Sequence, residues 1–173
     1  MEHFKRNADA EVVLILTNNP QAYVLQRADN FEVPSHIFTR HEFYDTDDVI
    51  NLLKNLQVDI IVLAGFLWLV PPSLLNAFPN KIINLHPALL PKFGGKGMYG
   101  DNVHKAVLQA GEEESGITIH FVNTQFDEGE VIHQSRFKIE PGDNLEMVKF
   151  KGQQLEHQHF PKVIENLLKK MRS

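Results

Sequence analysis

Three short runs constrain this chain most: VVLILT at 12–17, IIVLA at 60–64 and KIINL at 81–85. Each is rich in aliphatic residues without alternating with polar ones. Runs of that kind form strands covered on both faces, the pattern of a parallel sheet inside an α/β domain. The stretches between and after them carry other signals. Residues 21–30 read as a helix and 34–38 as a short strand. Residues 45–56 are amphipathic, with Val49, Leu52, Leu53 and Leu56 at helical spacing and Asp45 or Thr46 as the cap. Residues 74–78 form a short helix after Pro71 and Pro72, and 102–109 a further one. Residues 117–122 and 131–137 alternate, which predicts later, partly exposed strands. A long helical region begins at Asp143 and is expected to bend or split near Pro161, because proline removes a helix donor. Alternation of this kind predicts an open, mostly parallel sheet with helices on both faces, Rossmann-like. Ligands of such sheets bind at the carboxyl ends of the strands.

Neither a repeat nor a low-complexity linker divides the chain, so residues 1–173 read as one domain. No cysteine is present, which excludes disulfides, a thiol nucleophile and a cysteine-ligated metal, and fits a reducing cytoplasm. The net charge of −5 has its signs interleaved, so neither a nucleic acid nor a membrane surface is an expected partner. The longest apolar stretch, 60–72, falls short of the about 20 residues that span a bilayer. The charged opening MEHFKRNADAE is no secretory signal. Glycine is unevenly placed: the first is Gly65, and Gly94, Gly95, Gly97 and Gly100 cluster together. A glycine-rich phosphate loop near the N-terminus, usual in doubly wound domains, is therefore missing. Residues 2–7 read as the end of a helix, so the chain is expected to be N-terminally truncated, starting one strand and most of one helix late.

The densest chemical signal is IINLHPALLP at 82–91. A spacing of two puts Asn84 and His86 on the same face of one strand, and Pro87 stops that strand. An amide can donate to a developing oxyanion, and an imidazole can move a proton near neutral pH. A strand-terminal histidine satisfied by backbone groups fits the same pattern equally well. Asp127 follows a strand in a glycine-containing turn and could pair with His86 and raise its pKa. Turns favour aspartate in any case, so a plain turn residue is the simpler reading. His157 and His159 stand two apart in a helix and cannot share one metal. His120 lies in an alternating strand, as a packed or hydrogen-bonded support. His104 lies near a helix start, and His36, His41 and His133 have no evident partner. No metal site is expected. Residues 65–72, GFLWLVPP, follow a buried strand and could line a slot for a flat heterocycle. Core packing accounts for the same composition.

Four segments, in this order, carry a resemblance over essentially the whole chain: DIIVLAGFLWLV, INLHPALLPKF, SGITIHFVNTQFDEGEVI and QQLEHQHFP. Together they resemble the folate-dependent formyltransferases, most nearly those that formylate the glycyl amine of glycinamide ribonucleotide in purine synthesis. The resemblance implies 10-formyltetrahydrofolate as the formyl donor, no metal, and direct attack of the amine without an acyl-enzyme. It implies that Asn84, His86 and Asp127 are catalytic, with Asn84 and protonated His86 stabilising the oxyanion and Asp127 holding His86 charged. It implies that Leu67, Trp68, Leu69 and Val70 bind the pterin together with Asn84, and that residues 123–127 form a second wall. Arg40 is implied to meet the folate carboxylate, Gln153 and Glu156 to hold the ribonucleotide, and His120 to support the site.

The chain departs from the family pattern in three ways. The first strand and its phosphate loop have no counterpart, Leu67 and Trp68 replace a common Met-Arg pair, and the loop after Phe93 is longer. That loop reads as a glycine-hinged lid over the ligands, with a merely lengthened surface loop as the alternative. Small molecules are the implied partners, with a homodimer as a candidate assembly. Alternatives are a 10-formyltetrahydrofolate hydrolase and an inactive folate-binding form. Formylation of methionyl-tRNA fits less well, because the chain is short, acidic and without a basic RNA-binding domain.

Overall fold

The computed structural model describes residues 1–5, 7 and 9–172. Two compact units are present, Met1–Asp59 with the residues from Leu168 on, and Ile60–Leu167. No helix among the described residues is long and apolar enough to cross a membrane.

In the first unit, β1 (Ile15–Thr17) runs parallel to β2 (Ser35–Ile37), with α1 (Tyr23–Asn30) as the crossover. The expected strand at 12–17 keeps only its second half, because its partner offers three residues to pair with. Residues 2–7 were expected to be helical; Glu2–Phe4 form a single 3₁₀ turn, and Arg6 lies outside the described residues. A helix that the apolar pattern did not predict, α2 (Arg40–Tyr44), precedes α3 (Asp48–Asn55). It is held by a capping box: Thr39 accepts the Glu42 N–H, and the Glu42 carboxylate accepts the Thr39 N–H. Asp47 takes the cap position of α3 without a side-chain bond, and Thr46 accepts the Asp48 N–H. Ala28, Phe38, Phe43, Val49, Ile50 and Leu53 form the buried core, with the Phe38 and Phe43 rings stacked at 5.2 Å.

The second unit holds a four-stranded sheet in the order β3 (Ile61–Leu63), β4 (Ile82–His86), β5 (Glu114–Phe121), β6 (Val131–Lys138). The β3–β4 ladder is parallel, and β5 and β6 extend it as an antiparallel pair. The apolar run at 60–64 therefore forms an edge, and Val62 is 37% exposed rather than covered on both faces. The alternating run at 117–122 behaves in the opposite way. Lying between β4 and β6, β5 is buried from Ser115 to His120. Ile82, Ile83, Ile117, Ile119, Val103, Val107 and Val148 fill the core, each contributing about 1.5–3 kcal/mol of burial.

Helices α4 (Pro72–Ala77) and α5 (Asp101–Gln109) fall where the sequence places them. The last helix, α6 (Leu145–Arg172), starts at an Asn144 side chain that accepts the Met147 N–H. It runs through Pro161 as one 28-residue helix and does not split there. One proline forfeits a single backbone bond. The buried Val163, Ile164, Leu167 and Leu168 outweigh that loss.

Candidate active site

Strand β4 delivers its last residues to one face of the sheet. Register pairs Asn84 with His120 and His86 with Thr118, so all four side chains stand on that face. His86 is 3% exposed. Its Nδ1 lies 3.5 Å from Asp127 Oδ2, and its Nε2 lies 2.8 Å from the carbonyl oxygen of Phe93. A carbonyl only accepts, so Nε2 carries the ring's proton and Nδ1 faces the carboxylate. The expected convergence of Asn84, His86 and Asp127 is thus observed.

The same logic fixes His120. Its Nδ1 donates to the Phe121 carbonyl at 2.8 Å, which leaves Nε2 to accept from the Asn84 amide at 3.2 Å. The Asn84 Nδ2 also reaches Asp127 Oδ1 at 3.4 Å. That bond is the longer of the two and the easier to exchange for another acceptor. Asp127 has a φ of +58°, and its Oδ2 accepts the Gly95 N–H at 2.9 Å. His120 Nε2 stands 3.6 Å from its Oδ1.

Charge in this cluster is set by burial and by these contacts. Burial holds the His86 pKa below the ordinary histidine value, against the opposing pull of Asp127 and the Phe93 carbonyl. Burial acts on Asp127 in the upward direction. The contacts with His120 and His86 and the Gly95 N–H outweigh it, and the carboxyl ends below its usual range. The arrangement is a neutral imidazole with a bare Nδ1 beside a carboxylate: a proton acceptor with its counter-charge already in place.

Two backbone groups at this site, the Phe93 carbonyl and the Gly95 N–H, were not foreseen. Only the glycine cluster hinted at them. At Gly94 there is no room for a side chain. A Cβ on it would lie 2.5 Å from Leu90 Cδ2 and 3.2 Å from Asp127 Cβ.

The other expected residues are placed as follows. Leu67, Trp68, Leu69 and Val70 form the turn after β3, which opens at Gly65 with φ +65°. Leu67 is 53% exposed and Val70 is buried. The Trp68 ring meets Phe66 edge-on at 6.2 Å. In the loop after β5, Asn123 Oδ1 accepts the Gln125 N–H at 2.9 Å. Gln153 and Glu156 are three apart on α6, which puts them on one side of the helix. Gln153 is exposed, and burial pushes the half-buried Glu156 above the usual carboxylate range. Arg40 belongs to the first unit, where its guanidinium lies 4.6 Å from the centre of the Tyr44 ring. His133, expected to lack a partner, stacks on His159 at 4.8 Å.

Known proteins share this arrangement of sequence and fold. The family model described as formyl transferase matches residues 1–164. The chloroplastic phosphoribosylglycinamide formyltransferase of Arabidopsis thaliana is 37% identical over 163 residues, covering 91% of this chain and 56% of its own length. The phosphoribosylglycinamide formyltransferase of Bacillus subtilis is 36% identical over 168 residues, covering 95% of this chain and 84% of its own. Among solved structures, the phosphoribosylglycinamide formyltransferase of Bacillus halodurans superposes with a TM-score of 0.82 at 34% identity, over 94% of this chain and 83% of that one. The buried His86 and the half-buried Asn84 and Asp127 thus stand in a chain that belongs to the formyl transferase family.

Proposed function

We propose that this chain, acting as one formyltransferase domain, transfers the formyl group of 10-formyltetrahydrofolate to the glycyl amine of 5'-phosphoribosylglycinamide, a step of de novo purine synthesis. The observation that carries the reading is the His86 ring, tied through Nε2 to the Phe93 carbonyl with Nδ1 turned to Asp127. When bound, the folate supplies an electrophilic formyl carbon for the amine to attack. A new C–N bond forms, and the carbonyl electrons move to oxygen. Asn84 donates to that oxygen by exchanging its 3.4 Å contact with Asp127. His86 Nδ1 takes up a proton from the attacking amine, with Asp127 stabilising the imidazolium. The oxyanion's electrons then re-form the carbonyl, the C–N10 bond breaks, and N10 leaves with the proton that His86 took up. The products are the formylated ribonucleotide and tetrahydrofolate.

The remaining assignments follow from the same reading. Leu67, Trp68, Leu69 and Val70 border the pterin, Arg40 meets the folate carboxylate, and Gln153 with Glu156 holds the ribonucleotide. The substrates are small molecules, and the reaction is placed in the cytoplasm.

The test is an assay of tetrahydrofolate release from 10-formyltetrahydrofolate by this 173-residue chain, with and without the ribonucleotide. Release that requires the ribonucleotide, and that His86→Ala removes, is the expected result. Release that proceeds equally without it would replace the transferase by a hydrolase.

A further inference from the structure

His86, Thr118 and Gln134 occupy one row across β4, β5 and β6: His86 pairs with Thr118, and Thr118 with Gln134. Their side chains share one face of the sheet. His86 belongs to the cluster above. The other two residues reach the chain that follows it. Thr118, fully buried, donates its hydroxyl to the Ala88 carbonyl at 2.7 Å. It accepts the Leu90 N–H at 3.1 Å and a Gln134 Nε2 hydrogen at 2.9 Å. A hydroxyl has one donor and two lone pairs, so its capacity is filled. Gln134 Nε2 donates its second hydrogen to the Leu90 carbonyl at 2.9 Å.

The β4–β5 ladder ends at the His86–Thr118 pair. Beyond it, two side chains do for residues 88–90 what a third strand's backbone would otherwise do. Three residues on from Leu90, the Phe93 carbonyl meets His86 Nε2. Two further on, the Gly95 N–H meets Asp127 Oδ2. Phe93 has a φ of +57°, a conformation that a non-glycine residue keeps only when its surroundings hold it. Packing alone does not call for this hydroxyl, since valine has the same branched shape and suits a buried strand.

We propose that Thr118 and Gln134 are positioning residues for the reaction. They anchor residues 88–90, so that the Phe93 carbonyl and the Gly95 N–H orient the His86 ring and Asp127. Neither touches a reacting atom. The effect on turnover rests on the proposed role of His86, whereas the effect on the ring's setting does not.

The experiment compares Thr118→Val, Thr118→Ser and Gln134→Met with the wild-type chain. It measures the His86 imidazole titration by NMR together with kcat and KM. Thr118→Val is expected to move the His86 titration to lower pH, because the Phe93 carbonyl no longer favours the charged ring. It should lower kcat on the order of 10- to 100-fold, the scale of a displaced catalytic group, with KM within about twofold of wild type. Thr118→Ser keeps the hydroxyl and should restore both readings. A folded Thr118→Val whose His86 titration matches wild type overturns the proposal. Should that variant not fold, Gln134→Met decides, since it leaves the Thr118 bonds to Ala88 and Leu90 in place. A downward shift supports the anchor, and an unchanged titration removes it. A shifted titration in a chain whose His86→Ala variant keeps full turnover would overturn the role given to His86 and leave the anchor standing.

Discussion

The Nε2 of His86 lies 2.8 Å from the carbonyl oxygen of Phe93, and this one contact decides which nitrogen of the ring can work. In the neutral ring the proton must sit on Nε2, leaving Nδ1 bare toward Asp127. Nitrogen NMR of the ring at neutral pH should show a protonated Nε2 and an unprotonated Nδ1. The opposite tautomer would mean that the Phe93 contact does not hold in solution.

Asp127→Asn should move the His86 titration to lower pH, because the carboxylate is the largest influence favouring the charged ring. It should also lower turnover by roughly 10²–10⁴-fold, the range for loss of acid–base function. An Asp127→Asn chain with an unmoved His86 titration would show that the 3.5 Å pair carries no coupling.

Acid should weaken the fold through two buried histidines. Burial lowers the folded-state pKa of both His86 and His104 below the ordinary value of 6.5. Between each folded-state pKa and 6.5 the unfolded chain binds more protons, so stability rises with pH there. This contribution is complete above 6.5 and is lost as pH falls through the folded-state values. Urea midpoints taken from about pH 8 down to about pH 5.5 should fall, and His104→Gln should flatten the slope. Equal slopes for the two chains would remove His104 from this account.

Gly94→Ala should cost stability of about 1–3 kcal/mol, the scale of overpacking, and should displace Asp127. The added carbon would meet Leu90 Cδ2 at 2.5 Å. Trimming that neighbour in a Gly94→Ala, Leu90→Ala double variant should relieve part of the crowding, at the cost of the Leu90 packing. A double-mutant cycle on urea midpoints reads the interaction. Strict additivity would show that the two side chains do not compete for this space.

Trp68 is the chain's only tryptophan and sits in the turn proposed to border the pterin. Its emission should change saturably as a folate is added and should stay constant with the ribonucleotide alone. A flat response to folate would move the pterin away from 67–70.

Strand centres were legible in the sequence because a continuous aliphatic run has few alternatives. Strand ends and exposure were not. Val62 and Ile119 are both aliphatic, yet one lies on the end strand β3 of the four-stranded order and the other on the inner strand β5, and only the order of the sheet separates them. The α2 helix was missed although Thr39 and Glu42 spell out its capping box, because five residues are too few to show a hydrophobic period. Pro161 suggested a break that the burial around Val163 and Ile164 overrides. At the site, the spacing of Asn84 and His86 was enough to put them on one face. Asp127 became a partner only through the fold of the β5–β6 hairpin. The Phe93 carbonyl and the Gly95 N–H were out of reach, since every residue but proline carries the same two backbone groups.

Asn84 draws its two partners from 36 and 43 residues further along the chain. Contacts that close such long loops form only once the intervening strands are paired. A nascent chain that has reached the end of β4 already holds the amide and the imidazole, but neither the counter-charge nor the second ring. The competence of this cluster therefore arrives in one stroke, with the docking of the β5–β6 hairpin. Any local opening of that hairpin would silence the whole centre while leaving β4 itself intact.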